Sequence, residues 1–175
     1  GGIAARALEF TILAACRSGQ VRLATWGEID LKNRVWIIPA VRMKAGKEHR
    51  APLSDAAFAI LKEMDQSTKF IFPGRDEGKS LSDMSLTAVL RRMNRGDLTV
   101  HGFRSTFRDW AAETTAYPQH VAEMALAHTI GDKVEAAYRR GDLFTKRTRM
   151  MEDWARYCNQ TQSGEVLPLR SKTVA

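Results

Sequence analysis

The sequence is poor in cysteine, in long apolar runs and in acidic residues. Its 175 residues include 2 cysteines, Cys16 and Cys158, which form no CxxC pair. Two separated thiols within helical apolar patterns are typical of reduced core residues in a cytosolic protein, and they exclude a disulfide framework. The most apolar stretch, Ile12 to Cys16, is bracketed by Glu9 and Arg17, so no run approaches the roughly 18 apolar residues of a membrane span.

The shortage of acidic residues leaves the chain basic. Lys and Arg number 27 against 20 Asp and Glu, which gives a formal net charge of +7. Such an excess favours a polyanionic partner, nucleic acid first, because Lys and Arg displace counterions that are condensed on phosphates. Hydrophobic residues make up 44% and charged residues 27% of the chain, as in ordinary globular proteins and unlike disordered or fibrous ones.

The length predicts one domain, because a chain of this size buries roughly 70% of its unfolded surface around a single core. The chain begins without Met and without a basic flank before an apolar block, so we expect an excised domain and not a signal peptide. Periodicity disappears near residue 160. We therefore expect residues 1–160 to form one folded domain, the C-terminal part of a longer protein, and residues 161–175 to form a disordered tail.

Hydrophobic periodicity predicts an α+β fold that is mostly α-helical, with a small antiparallel three-stranded sheet. The first two strands are expected within residues 25–29 and 35–38. The basic segment 41–50 reads as an exposed hairpin loop that leads into a third strand ending at Pro52.

Cap residues and apolar spacing predict the helices. The first runs from about residue 3 to a turn at Ser18-Gly19. Another is capped by Ser54 or Asp55 and ends near residue 66. Further helices are predicted over residues 82–93 with Ser82 as the cap, 101–114, 118–127 with Pro118 in the first position, 132–140 and 144–160.

The segment His101-Gly102-Phe103-Arg104 predicts a phosphate site. Its His and Arg are three residues apart and so lie on one face of the opening turn of a helix. Backbone N–H groups at a helix start add positive potential, and the guanidinium of Arg104 can bind two oxygens of one phosphate. An isolated HxxR pair is more often a capping His beside a surface Arg, so other residues must support this interpretation.

Further residues do support it. Arg17 follows the first apolar helix, Lys44 lies in the basic hairpin, Ala127-His128 follows the HxxR pair, and Tyr138 comes ten positions later. In this order the residues resemble the catalytic domain of the tyrosine recombinases, the phage integrase family. The resemblance spans Arg17 to about Asp142, and residues 134–142 are particularly similar to prophage and genomic-island integrases.

The resemblance implies the tyrosine recombinase catalytic-domain fold and a site-specific recombinase that integrates or excises a mobile element. Tyr138 would attack a DNA phosphodiester and form a 3′-phosphotyrosyl link. Arg17 and Arg104 would hold the non-bridging oxygens, and Lys44 would protonate the leaving 5′-oxygen. His101 would contact the phosphate and help to accept the tyrosyl proton. His128 would donate a hydrogen bond to a non-bridging oxygen.

The same resemblance implies no cofactor and no metal. The implied partner is double-stranded DNA, which a homotetramer of the full-length protein would bind. The isolated domain would be a monomer. The protein would have no membrane contact and would lie in the bacterial cytoplasm, at the nucleoid. Family members usually carry an additional N-terminal DNA-binding domain, so the isolated domain should bind DNA poorly. In related recombinases the segment after the tyrosine packs on a catalytic domain, so deleting residues after Asp142 is expected to weaken synapsis and spare the fold.

Several alternatives stay open. Lys47 competes with Lys44 for the acid role, and His49 is either a DNA contact or, more simply, a solvated hairpin residue. Tyr117 and Tyr157 are expected to be packing residues. Residues 74–80 resemble a phosphate-binding loop, but three residues separate the glycines where a Walker motif has four, so a turn is expected there.

Two positions depart from the family pattern. Gln20 stands where the R-x-G-E motif has Glu, and Ala127 stands where Gly is frequent. Gln20 makes a non-catalytic DNA-binding module conceivable. A type IB topoisomerase-like enzyme is a further alternative, because such enzymes use a similar set of residues.

Overall fold

Seven α-helices and three β-strands are present in residues 2–128 and 141–160, the part of the chain that the computed structural model describes. The helices are α1 (Ile3–Leu13), α2 (Ser18–Arg22), α3 (Asp55–Glu63), α4 (Ser85–Arg92), α5 (Gly102–Thr114), α6 (Gln119–Ala125) and α7 (Phe144–Asn159). The strands are β1 (Ile29–Asp30), β2 (Val35–Ile38) and β3 (His49–Pro52). The predicted fold class, mostly helical with a small antiparallel sheet, is confirmed.

The sheet has the order β1-β2-β3, and both pairings are antiparallel. The third strand ends at Pro52, as predicted. The first strand is shorter than predicted, because residues 26–28 form a 3₁₀ turn. Thr25 pairs with Phe70 in an isolated bridge, and the indole of Trp26 donates to the carbonyl of Asp65 at 3.1 Å. These long-range bonds take the place of strand pairing between residues 25–28 and β2.

Several predicted helix boundaries are wrong. Helix α1 ends at Leu13 and not at Ser18, and α3 ends at Glu63 and not near residue 66. Side-chain hydrogen bonds explain two further differences. Ser18 begins α2 instead of a turn, because the side chain of Gln20 accepts the backbone N–H that precedes the helix. Ser82 does not cap α4: its hydroxyl bonds the hydroxyl of Ser85 at 2.9 Å, and the helix begins at Ser85. Pro118 directly precedes α6 instead of opening it. Ser54, in contrast, caps α3 by accepting the N–H of Ala57.

The core has two parts. In the first, α1, the sheet, α3 and α4 enclose Phe10, whose ring lies 5.7 Å from that of Trp36 and 5.5 Å from that of Phe72, centroid to centroid. In the second, α5, α6 and α7 enclose Phe107 and Trp154, whose rings meet edge to face at 5.3 Å. Ring pairs of this kind add to the stabilisation from buried apolar area.

Helix α7 belongs to this core, which overturns the expectation that the fold survives without it. Met150, Met151 and Trp154 are at most 2% exposed. Truncating one buried Trp or Met to Ala costs about 2–5 kcal/mol, and a chain of this kind is stable by only about 5–15 kcal/mol. Removing residues after Asp142 would therefore unfold the domain.

The remaining expectations have mixed outcomes. Cys16 is buried as predicted, whereas Cys158 is exposed at the end of α7, where the apolar stripe is no longer covered. Residues 74–80 form a turn, and a Cβ on Gly74 would lie 2.5 Å from the carbonyl oxygen of Ser80, so only glycine fits.

The predicted helix 132–140 and the predicted tail 161–175 lie outside the described residues. Among the helices that the structure describes, none combines the length and the apolar character needed to cross a membrane.

Candidate functional site

A cavity of about 700 Å³ lies where three distant parts of the chain meet. The start of α2, the loop after β2 and the start of α5 form its walls. Four of the six predicted site residues line it: Arg17, Lys44, His101 and Arg104. Segments more than eighty residues apart in the sequence therefore contribute side chains to one concave surface.

Arg17 is the last residue before α2, and it is half-buried. Its backbone N–H donates to Oε1 of Gln20 at 2.8 Å, which satisfies a donor at the helix start. A glutamate at position 20 would accept the same bond through a carboxylate oxygen. The replacement of the family's Glu by Gln20 thus preserves the local structure that orients Arg17.

Arg104 is buried, with 5% of its surface exposed, at the first turn of α5. One terminal nitrogen donates to the carbonyl of Ala15, and the other donates to the carbonyl of Leu126 at 2.7 Å. These carbonyls lie just after α1 and α6, where unpaired C=O groups and the helix dipoles favour a cation. The guanidinium is therefore held in a fixed plane before any ligand arrives.

Burial and neighbouring charges alter the acid–base behaviour around Arg104. Burial, together with the charge of the nearby Arg17, lowers the pKa of Arg104 to about 10, so the side chain still stays cationic at neutral pH. Burial also raises the pKa of the Cys16 thiol to about 11, although Arg104 and Arg17 oppose this shift. Cys16 therefore remains protonated at neutral pH and is a poor nucleophile.

His128 reaches the site through the end of α6. The N–H of His128 bonds the carbonyl of Glu123 at 2.9 Å, and the N–H of Ala127 bonds that of Met124 at 3.1 Å, which together form a Schellman motif. Ala127 has a φ of 52°, a conformation that favours glycine. This backbone requirement accounts for the glycine that the resemblance leads us to expect at this position.

The ring of His128 bridges two charged groups. Its Nδ1 lies 2.6 Å from a carboxylate oxygen of Glu123, and its Nε2 lies 3.2 Å from a terminal nitrogen of Arg104. Because an arginine can only donate, Nε2 accepts here, and Nδ1 donates to Glu123. The donor role predicted for His128 toward phosphate therefore requires a second proton on Nε2.

Lys44 is exposed on a turn that is closed by a bond from the N–H of Gly46 to the carbonyl of Met43 at 3.0 Å. Within residues 2–128 and 141–160, neither Lys44 nor Arg17 forms a salt bridge with a carboxylate. Lys47 is not among the described residues that line the cavity. As far as the described residues show, the positive charge of Arg17 and Lys44 at the cavity is uncompensated, which suits a phosphate group.

Near the site, sequence reasoning misjudged the environment of His49 and did not single out Arg147. His49 is half-buried on β3, contrary to the expectation of a solvated hairpin residue; burial, with Arg147 and Arg104 nearby, lowers its pKa to about 4. Arg147 is 2% exposed and donates to the carbonyls of Asp142 and Arg50 at 2.7 and 2.6 Å. Strand alternation could have indicated that His49 faces inward, but no local signal marks Arg147.

Tyr138, the predicted nucleophile, lies outside the described residues. Tyr117 donates its hydroxyl to a carboxylate oxygen of Asp153 at 2.6 Å, and the ring of Tyr157 stacks on Trp154 at 5.6 Å between centroids. Both contacts agree with the expectation that these two tyrosines are packing residues. In the described part of the chain, no group of three His, Cys, Asp or Glu side chains could hold a metal ion.

Comparison with known proteins places the chain in a family. The model of the phage integrase family matches residues 4–142. The chain belongs to the phage integrase family. It is 36% identical over 161 residues to the prophage integrase IntA of Escherichia coli K12. The aligned region covers 89% of this chain and 39% of IntA.

Two further relatives agree. The chain is 32% identical over 169 residues to the prophage integrase IntZ of Escherichia coli K12, with 93% of this chain and 41% of IntZ covered. It is 29% identical over 177 residues to the integrase of Enterobacteria phage P4, with 90% and 40% covered. This integrase-family chain thus spans about two fifths of the length of the curated relatives it matches. No solved structure matches it.

Proposed function

We propose that this chain is the catalytic domain of a site-specific DNA recombinase that cleaves and rejoins double-stranded DNA through a 3′-phosphotyrosyl link at Tyr138. Its role is to integrate or excise a mobile element. The observation that carries the proposal is the convergence of Arg17, Lys44, His101 and Arg104 on one cavity. Membership of the phage integrase family supports it independently.

Arg17 and Arg104 bind the non-bridging oxygens of the phosphate. The pentavalent transition state carries more negative charge than the diester, so donors that are already oriented favour it over the ground state. The carbonyls of Ala15 and Leu126 provide this orientation for Arg104. No large reorganisation is then needed when the charge develops.

The proton transfers follow from the chemistry of the two oxygens. The Tyr138 phenol has an ordinary pKa of about 10 and must lose its proton as its oxygen attacks phosphorus. His101 accepts that proton. The bond from phosphorus to the 5′-oxygen breaks, and the Lys44 ammonium gives this oxygen a proton, which leaves a 5′-hydroxyl. Rejoining is the reverse, with the 5′-hydroxyl as the nucleophile and Tyr138 as the leaving group.

The partner is double-stranded DNA, and the full-length protein acts as a homotetramer on it, at the nucleoid in the bacterial cytoplasm. The domain alone binds DNA weakly as a monomer, and its affinity falls steeply with salt, because phosphate contacts release counterions. The net charge of +7 supports this electrostatic contribution.

A covalent trapping experiment tests the proposal. The protein is incubated at low salt with a pool of duplex oligonucleotides that have a randomised segment and a nick a few nucleotides away, so that the released 5′-hydroxyl fragment diffuses off. We expect a protein–DNA adduct whose DNA yields the preferred sequence and whose modified peptide contains Tyr138. Tyr138→Phe should abolish the adduct and retain binding, whereas the matched control Tyr117→Phe should retain both.

The other outcomes point to other functions. An adduct that persists in Tyr138→Phe would refute the assignment of the nucleophile. DNA binding without any adduct would favour the non-catalytic module. Relaxation of supercoiled plasmids irrespective of sequence would favour a type IB topoisomerase-like enzyme, whereas strand exchange at one selected sequence supports the recombinase.

A further inference from the structure

Arg42 ties the loop that carries Lys44 to the helix that follows Arg17. Its guanidinium donates to the carbonyl of Gln20 at 2.6 Å and also to the carbonyl of Leu23, both in or next to α2. Arg42 stands two residues before Lys44 in the chain, at the end of the 3₁₀ turn 40–42. Arg42 therefore joins two walls of the cavity, which it also helps to line.

The same guanidinium pairs with Glu28 at 2.6 Å, and the two side chains are only 17% and 12% exposed. The second carboxylate oxygen of Glu28 accepts the indole N–H of Trp36, a fully buried residue of β2, at 2.9 Å. A shielded ion pair with additional hydrogen bonds has a defined geometry, unlike a solvated surface pair. Glu28 thus fixes Arg42 relative to the sheet.

Lys44 has no comparable restraint of its own. Its side chain is exposed, and the described residues provide it with no ion-pair partner. The neighbouring Met43 is buried, and the amide nitrogen of Gln20 lies 2.9 Å from its sulfur. The position of the Lys44 ammonium therefore depends on where Arg42 and Met43 hold the backbone of the turn.

We propose that Arg42, held by Glu28, is a positioning residue for the acid role of Lys44. It does not touch the phosphate in this scheme; it sets the distance between the turn at Lys44 and the start of α2 at Arg17. The inference rests on the proposed function, because it takes Lys44 as the donor of the proton to the 5′-oxygen.

A sulfur substitution in the DNA isolates this role. In a duplex with sulfur as the 5′-bridging atom, the same attack by Tyr138 breaks a phosphorus–sulfur bond. A thiol has a pKa of about 8.5, so the thiolate leaves without being protonated and needs no acid. The substrate is the sequence selected by covalent trapping, prepared with either oxygen or sulfur at the cleaved bond.

We expect Arg42→Met to slow single-turnover cleavage of the oxygen substrate by about 10- to 100-fold, the scale of a displaced catalytic group. On the sulfur substrate its rate should return to within a few fold of the parent rate. Arg42→Lys keeps a charge opposite Glu28 but cannot reach both carbonyls, so it should show a smaller defect with the same sulfur rescue. This second variant keeps the test valid if Arg42→Met folds poorly, which thermal denaturation would reveal.

Arg22→Met is the matched control. Arg22 also lies on α2, its side chain is 14% exposed, and it binds Asp83 and the carbonyl of Leu81, away from the Lys44 turn. Its removal should leave the ratio of the oxygen rate to the sulfur rate unchanged. Equal slowing of both substrates by the Arg42 variants, or no slowing of either, would overturn the inference.

Lys44→Ala separates the inference from the proposed function. If Lys44→Ala is itself not rescued by sulfur, the acid assignment in the proposed function is wrong. If Lys44→Ala is rescued and the Arg42 variants are not, the acid assignment stands and the positioning role of Arg42 alone is refuted.

Discussion

Replacing Arg104 with lysine should damage stability and cleavage together, although the positive charge is kept. Arg104 donates to the carbonyls of Ala15 and Leu126 and to the ring of His128. A lysine ammonium is a compact group on a flexible stem and cannot span acceptors placed for a planar fork. Arg104→Lys thus leaves at least one buried acceptor without a donor.

The magnitude follows from these bonds. Each buried acceptor that loses its partner costs about 1–3 kcal/mol, so with one or two acceptors affected we expect the free energy of unfolding to fall by about 1–6 kcal/mol. For a domain of this size each kcal/mol lowers the melting temperature by about 2–4 °C. Cleavage should slow by about 10²- to 10³-fold, as when one preorganised donor is removed from an anionic transition state.

Urea denaturation measures the loss of stability, and single-turnover adduct formation measures the loss of cleavage rate. Both are carried out at about 20 °C, close to the temperature at which such domains are most stable. Arg91→Lys is the control, because Arg91 is exposed near the end of α4 and should shift neither quantity. If Arg104→Lys were as stable as the parent to within about 0.5 kcal/mol, the size of an ordinary surface substitution, the carbonyl bonds would not hold this guanidinium. The account of how Arg104 is oriented would then fail.

Three further predictions test the surroundings of the site. Ala127→Gly should raise the free energy of unfolding by about 0.5–1 kcal/mol, because glycine adopts the left-handed conformation at this position without steric strain, and this gain exceeds the loss from a more flexible unfolded chain. A lower melting temperature would contradict this. Lys44→Ala should slow cleavage of ordinary DNA by about 10²- to 10⁴-fold, as expected for loss of a general acid. Lys47→Ala should change mainly the affinity for DNA. The reverse pattern would assign the acid role to Lys47. The pKa of His49 is about 4 in the folded state and about 6.5 in the unfolded chain. Between these two pH values the unfolded chain binds a proton that the folded protein does not bind, so the free energy of unfolding should fall as the pH drops from about 6.5 to about 4. His49→Asn should flatten this part of the stability profile in urea denaturation, and an unchanged slope would show that other groups cause the acid sensitivity.

Local patterns were sufficient for much of the fold. The helix that follows His101 and contains Arg104, strand β2 and the strand that ends at Pro52 follow from periodicity, caps and turn residues close together in the sequence. Boundaries failed where a further hydrogen bond, long-range in one case and local in the other, competed with the expected one. The segment at Trp26 left the sheet because its indole bonds Asp65, and Ser82 lost its cap role to a bond with Ser85.

The order of functional residue types, and with it the family, was determined by the sequence alone, because spacing and residue chemistry are properties of the chain. The convergence of Arg17, Lys44, His101 and Arg104 on one cavity became visible only in the tertiary structure. So did the partial burial of Arg42 and the burial of Arg104, whose partners include backbone carbonyls. Every residue type has a carbonyl, so such partners leave no trace in a sequence, and only packing decides which one a buried guanidinium reaches.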